Sequence, residues 1–289
     1  MSDAATGTAR SPAAHVWRQL RRHRPAMASL VVFVVIAVAC LAAPLIAPYR
    51  FDAIDLSGLR QAPSLHHLMG TDNLGRDLFS RVLYGGRISI LIGLLSAALA
   101  TGAGTLVGAV AGYYGGFVDS LLMRFTDVAY AIPTLPLLIV LASYTQADAT
   151  SIAVIIGLLS WMGTARVVRA EVLSLKTMPF VEAARALGAP TRRIIGRHVL
   201  PNAVGPIVVG ATLAVGNAII AESSLSFLGL GVQAPVPTWG NLLQDATSSM
   251  ATYPWLTIFP GLAILVVVLA VNFLGDGLQD ALDPTARSS

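Results

Sequence analysis

Side chains able to do chemistry are few in this 289-residue chain, and they are scattered. Of the 5 histidines, His66 and His67 are adjacent, while His15, His23 and His198 stand alone. A zinc site needs convergent ligands, as in HExxH on one helical face or paired cysteines. Neither spacing occurs, and the 1 cysteine, Cys40, excludes an intrachain disulfide. Asp72, Arg76 and Asp77 form a charged cluster. No nucleophile–base pattern accompanies it, so a solvated loop or a docking surface is expected there. A Walker A loop needs Gly-Lys-Ser/Thr to hold the outer phosphates. The only lysine, Lys176, follows Leu175, so any ATP chemistry belongs to another polypeptide.

Polar residues inside apolar segments are a second kind of candidate. Asp127, Asn217, Glu222 and Asn272 all lie in such segments. A carboxylate in lipid is costly, so each must face the bundle interior or a partner. Such residues either line a pathway or gate, or pin two helices by a hydrogen bond. Glu222 lies about 30 Å of helix beyond Pro201, which disfavours a proton relay at the midplane. In PVPTWGNLLQDA, Thr238 is suited to cap a short helix starting at Trp239. That helix is expected to close an outer gate or face an extracellular protein, with a tryptophan belt at the membrane interface as the alternative.

The third candidate is EAARALGAPTRRIIGRHVLP, Glu182 to Pro201. Pro179 suits a first helical turn. Phe180, Val181, Ala184 and Leu187 then share one side, with Glu182 and Arg185 toward another. Gly188 is a natural stop and Pro190 blocks continuation. The helix is about 14 Å long, too short to span a bilayer. A second, basic helix is expected from Arg192 to Leu200, ended by Pro201. The pair should form a compact knob. An amphipathic helix lying on headgroups is the alternative, but small alanines suit docking into a protein groove.

The surrounding elements look built for lipid. Hydrophobic residues make up 55% of the chain and charged ones 12%, with mean hydropathy +0.71. Soluble domains carry about twice that charge. The net charge of +4 comes from arginines beside apolar runs, which points to topology signals rather than nucleic acid. Spans of roughly 20 apolar residues are expected at 26–47, 87–111, 119–144, 150–172, 202–228 and 255–277. The first follows a basic lead with no cleavage site and is read as a retained anchor. Arg10, Arg18, Arg21, Arg22 and Arg24 put the N-terminus in the cytoplasm, and six spans return the C-terminus there. The 166–200 segment then falls inside with Arg166, Arg169, Lys176, Arg185, Arg192, Arg193 and Arg197. Residues 48–86 fall outside yet hold Arg50, Arg60, Arg76 and Arg81, which contradicts the rule. Glycines and prolines within the spans are read as close packing and kinks.

The 182–201 stretch resembles the EAA loop of ABC-type importer permeases, a pattern of Glu-Ala-Ala, three residues, Gly, nine residues, Ile, one residue, Leu-Pro. Glu182, Ala183, Ala184, Gly188, Leu200 and Pro201 fit, and His198 stands where the general pattern has Ile. HVLPN is similar to the peptide-permease branch. HLMGTDNLGRDLFSRVLYGGR at 67–87, AGYYGGFVDSLLMRFTDV at 111–128, AESSLSFLGLGVQ at 221–233 and LGDGLQDALDP at 274–284 also resemble DppC/OppC-type permeases. The resemblance covers nearly the whole chain and does not name the substrate.

The resemblance implies an all-α integral membrane protein of the bacterial inner membrane, with six transmembrane helices and the type I ABC importer permease fold. It implies an N-terminal part at 1–86, a permease core at 87–278 with its coupling loop at 176–200, and a cytoplasmic tail at 279–289. The loop residues Glu182, Ala183, Ala184, Leu187, Gly188, Arg192, Arg193, His198 and Pro201 are expected to dock on an ATP-binding subunit. Asp127, Asn217, Glu222 and Trp239 are the pathway or gate candidates. No cofactor is expected on this chain, and ATP and magnesium belong to partner subunits. A second permease subunit, an extracytoplasmic solute-binding protein and lipid complete the expected partners, with no nucleic acid. A scaffold that recruits a soluble partner without transport is the alternative. A secondary transporter would need paired midplane acids or an inverted repeat, and an intramembrane enzyme would need a nucleophile.

Overall fold

The computed structural model describes residues 19–21, 23–145 and 148–282. Arg10, His15, Arg18, Arg22 and most of the expected tail lie outside the described residues. Every element among the described residues is helical, apart from one isolated β-bridge between Thr71 and Asp77.

Helix α1 (Arg24–Leu41) opens on a proline in its first turn, with His23 Nδ1 accepting from the Ala26 N–H at 3.2 Å. It is followed by a short α2 (Ala43–Ile46). Helix α3 (Leu78–Tyr114) is about 55 Å long, well beyond a hydrocarbon core of about 30 Å. It starts at Leu78 rather than 87 because Asp77 caps it, accepting from the Ser80 N–H at 2.8 Å.

The expected spans at 119–144 and 150–172 are each built from two helices that meet at a bend. Helices α4 (Gly116–Ala131) and α5 (Thr134–Ser143) meet at 80°. The break falls at Ile132, held extended ahead of Pro133. Helices α6 (Ala149–Leu158) and α7 (Trp161–Leu175) meet at 44°. There the Ser160 hydroxyl donates back to the Ile156 carbonyl at 2.7 Å, a contact that bends helices. After the knob come α10 (Val204–Phe227), α11 (Trp239–Ala246) and α12 (Trp255–Leu282). Helices α1, α3, α10 and α12 are each long and apolar enough to cross a membrane, and the two bent pairs make six when each is one span.

Helix α3 is the axis of the bundle. Gly104, Gly108 and Gly112 recur every fourth residue and bring α3 against the backbone of α7. A β-carbon there would meet Trp161 O at 2.7 Å, the Ala165 carbonyl, and Arg169 O at 2.8 Å. This is the small-residue seam by which helices associate in lipid, where no hydrophobic force drives them together. At the opposite end, Trp239, Leu78, Val82, Ile219 and Leu256 form a core between α3, α10, α11 and α12.

Candidate functional site

The knob consists of α8 (Pro179–Ala186), α9 (Thr191–Ile194) and a π-helical turn at Ile195–Val199. Gly188 ends α8 at φ 74°. Its N–H donates to the Arg185 carbonyl at 3.0 Å, and the Ala189 N–H donates to Ala184 at 3.1 Å. Together these make a Schellman closure, which satisfies carbonyls that the helix end leaves free. Pro190 then caps α9.

The basic helix expected over 192–200 forms, but not as one α-helix. The Leu200 N–H reaches the Ile195 carbonyl at 2.8 Å, the wider winding of a π turn. Ile194 and Val199 are five residues apart, and both are buried in one cluster with Val181, Ala184, Val168, Val172 and Ala109. An α-helix would turn them well away from each other. That cluster joins the knob to α7 and α3. Lys176 adds a tie, its Nζ donating to the Gly112 carbonyl near the end of α3 at 3.0 Å.

Of the four apolar residues expected to share one side of α8, Val181 and Ala184 are buried. Phe180 and Leu187 are not, and Leu187 is 88% exposed. Glu182, Ala183, Gly188, Arg192, Arg193 and Pro201 are exposed with it, while His198 is half-buried. The structure thus gathers most of the loop candidates on the knob's surface and uses Ala184 to anchor it.

The pathway candidates separate. Glu222 is fully buried. It accepts from Ser89 at 3.1 Å on α3 and from Ser226 at 2.7 Å on its own helix. Ser89 Oγ in turn accepts from the Trp239 N–H at 3.2 Å, and the Trp239 indole N–H donates to Val82 O at 3.0 Å. Glu222 therefore pins α10, α3 and α11 together. Thr238 caps α11 in a reciprocal capping box with Asn241, as its sequence suggested. The Trp239 indole is buried in the chain's own core, which corrects the alternative of a tryptophan belt at the membrane interface. Asn217 is exposed on α10, and Asn272 packs beside Gly216.

Asp127 is exposed on α4 and pairs with Arg166 of α7 at 2.7 Å. A second pair, Asp119 with Arg169, is bidentate at 2.5 and 2.6 Å. Arg166 and Arg169 both lie in α7, within the expected span at 150–172. Arg124 is exposed on α4, one turn before Asp127. The spacing of Ser120, Arg124 and Asp127 carried this signal in the sequence, since positions i, i+4 and i+7 share a helical face.

The charged cluster at 72–81 is not solvated, another correction. Asp72 is buried and accepts from Arg76 Nε at 2.7 Å and Arg81 Nη1 at 2.5 Å, while Arg81 also reaches Asp245 at 3.3 Å. His67 Nδ1 lies 2.9 Å from Asp77. Of the arginines that broke the charge rule, Arg76 and Arg81 are held in this internal network, while Arg50, paired with Asp52, and Arg60, donating to Asn73 at 2.8 Å, are exposed. In the same loop, hydrogen bonds from Ser57 hold the Asp55 carboxyl below the usual carboxylate range.

Residues 104–288 match the family model of the binding-protein-dependent transport system inner membrane component. Residues 11–63 match that of the N-terminal TM domain of oligopeptide transport permease C. A putative peptide permease protein of Brucella suis biovar 1 is 43% identical over 278 residues, covering 96% of this chain and 92% of its own length. The oligopeptide transport system permease protein OppC of Haemophilus influenzae is 42% identical over 272 residues, covering 93% and 88%. Among solved structures, the MetNI methionine ABC transporter in its inward-facing conformations matches with a TM-score of 0.55 at 18% identity. That match covers 71% of this chain and 98% of the other.

Proposed function

Because the chain belongs to the family of binding-protein-dependent transport system inner membrane components, we propose that it forms one half of a peptide-conducting pathway driven by ATP on partner subunits. It is a multi-pass inner-membrane permease subunit with the type I importer permease fold. In this reading a second, homologous permease completes the pathway, and an extracytoplasmic binding protein delivers di- or oligopeptides. ATP-binding subunits, holding ATP and magnesium, dock on the 176–200 loop. The knob and both termini face the cytoplasm.

One observation carries the coupling role. The inward side chains of the knob are locked into one cluster with α3 and α7, while Glu182, Ala183 and Leu187 stay exposed. A partner that moves this surface must move the two helices that form the bundle's tightest seam. ATP shifts the equilibrium between inward and outward states only by binding one of them better, so the docked subunits must differ in ATP affinity between those states.

Affinity isolation of the tagged chain from its native membrane, followed by identification of its companions, tests this. A Walker A protein and a second six-span permease are expected, with less of the ATPase recovered on Glu182→Lys. Recovery with only a soluble partner that has no nucleotide motif would replace the transporter with the scaffold.

A further inference from the structure

Of the 16 residues of α4, only Thr126 is buried within the chain. Its uncovered surface is not uniformly apolar. Ser120, Arg124 and Asp127 are all exposed and share one face. Arg166 joins them from α7, pairing with Asp127 and lying 4.5 Å from the centre of the Tyr130 ring. Arg124 and Asp127 lie about 12 and 16 Å along the helix from Gly116, and Arg166 lies about 14 Å from Leu175. Both helices belong to bent pairs that read as membrane spans, and an ionic side chain within a span is costly to leave facing lipid.

The charges do not balance. Asp119 is taken by Arg169, and Asp127 by Arg166. Arg124 has no hydrogen-bond or ion-pair partner among the described residues. One positive charge is left on an open face of a span, and a charge so placed faces a water-filled cavity or a partner rather than lipid. The neighbouring Phe117, Leu121 and Phe125 are exposed and apolar, and suit the lipid or protein wall beside it.

We propose that the Ser120–Arg124–Asp127–Arg166 face lines a water-filled, anion-preferring stretch of the pathway, in which Arg124 is the specificity-determining contact for a carboxylate of the passing solute. This rests on the pathway reading above. A guanidinium offers a planar pair of donors matched to a carboxylate, and in a cavity of low dielectric that match outweighs a point charge.

The test uses the intact complex in its membrane, with Cys40→Ala removing the native thiol. Single cysteines replace Ser120 and Val128, one turn to either side of Arg124, and Leu265 on the exposed apolar face of α12. Each is reacted with anionic sulfonatoethyl methanethiosulfonate and with its cationic trimethylammonioethyl counterpart. Both α4 thiols should react, favouring the anion roughly tenfold over its rate ratio with a free thiol, as a unit charge one turn away implies. Adding Arg124→Gln should erase most of that preference, and Leu265→Cys should stay silent. Silence of both α4 thiols means that lipid or a partner helix covers the face, and overturns the proposal. So does reactivity whose charge preference Arg124→Gln leaves unchanged. Labelling reads water and charge without transport, so it is separable from the isolation experiment. A charge-selective cavity found without an ATPase companion would fault the coupling reading alone.

Discussion

At Gly188 the chain takes φ 74°, and no atom lies within 4 Å of where a β-carbon would sit. A side chain there meets open space, so its cost is backbone strain, about 1–2 kcal/mol. That is too little to unfold the bundle and enough to displace the turn. Gly188→Val should therefore leave the complex assembled but let ATP hydrolysis run without uptake, while Gly188→Asn, which tolerates the left-handed region, should stay coupled. Parallel ATPase and uptake assays in proteoliposomes read this. Normal uptake by the valine variant would remove the turn from the coupling route. The stop at Gly188 was legible because a left-handed helix end needs only local residue types. The role of Glu222 was not. Its carboxylate accepts from Ser89, 133 residues away, a contact that only the packing of α3 against α10 reveals.

Among the elements, the seam between α3 and α7 makes the sharpest demand on sequence. Gly108 lies where a β-carbon would run into the Ala165 backbone, whereas Gly102 on the same helix faces nothing within 4 Å. Gly108→Ala should cost about 1–3 kcal/mol through overpacking. Gly102→Ala should be neutral or gain up to about 1 kcal/mol of helix propensity. Thermal unfolding in mild detergent compares the two, and equal midpoints would mean that the helices are not in close contact. Apolar runs marked the spans at 119–144 and 150–172 but not where each bends. Pro133 was the visible warning for the first break, and the Ser160 contact behind the second has no comparable signature.

Across the whole molecule, the two ends of the bundle carry different charge chemistry. At the knob end, Lys176, Arg185, Arg192, Arg193 and Arg197 remain as basic residues after Arg166 and Arg169 are assigned to ion pairs in α7. At the other end, Arg76 and Arg81 are spent on Asp72 and Asp245. The orientation proposed here predicts a specific labelling pattern in the Cys40→Ala chain. Leu65→Cys, 95% exposed in the far loop, should react with a membrane-impermeant maleimide in intact spheroplasts. Arg193→Cys should react only after permeabilisation. The reverse pattern would invert the topology and remove the knob from the reach of any cytoplasmic ATPase.

The sequence alone determined what depends on neighbours along the chain. Long apolar runs could only be membrane helices, because backbone polar groups in lipid must be satisfied within their own segment. Pro179 and Gly188 bounded the first helix of the knob, Thr238 capped α11, and the order of motifs marked the family. Tertiary structure alone decided what depends on distant partners. It buried Trp239, committed Asp72 and Arg81 to an internal network, wound Ile195–Val199 into a π turn so that two side chains could share one cluster, and left Arg124 without a counter-charge. A burial cost or an unpaired charge is a property of the space around a side chain, and that space is filled by residues that no local pattern names.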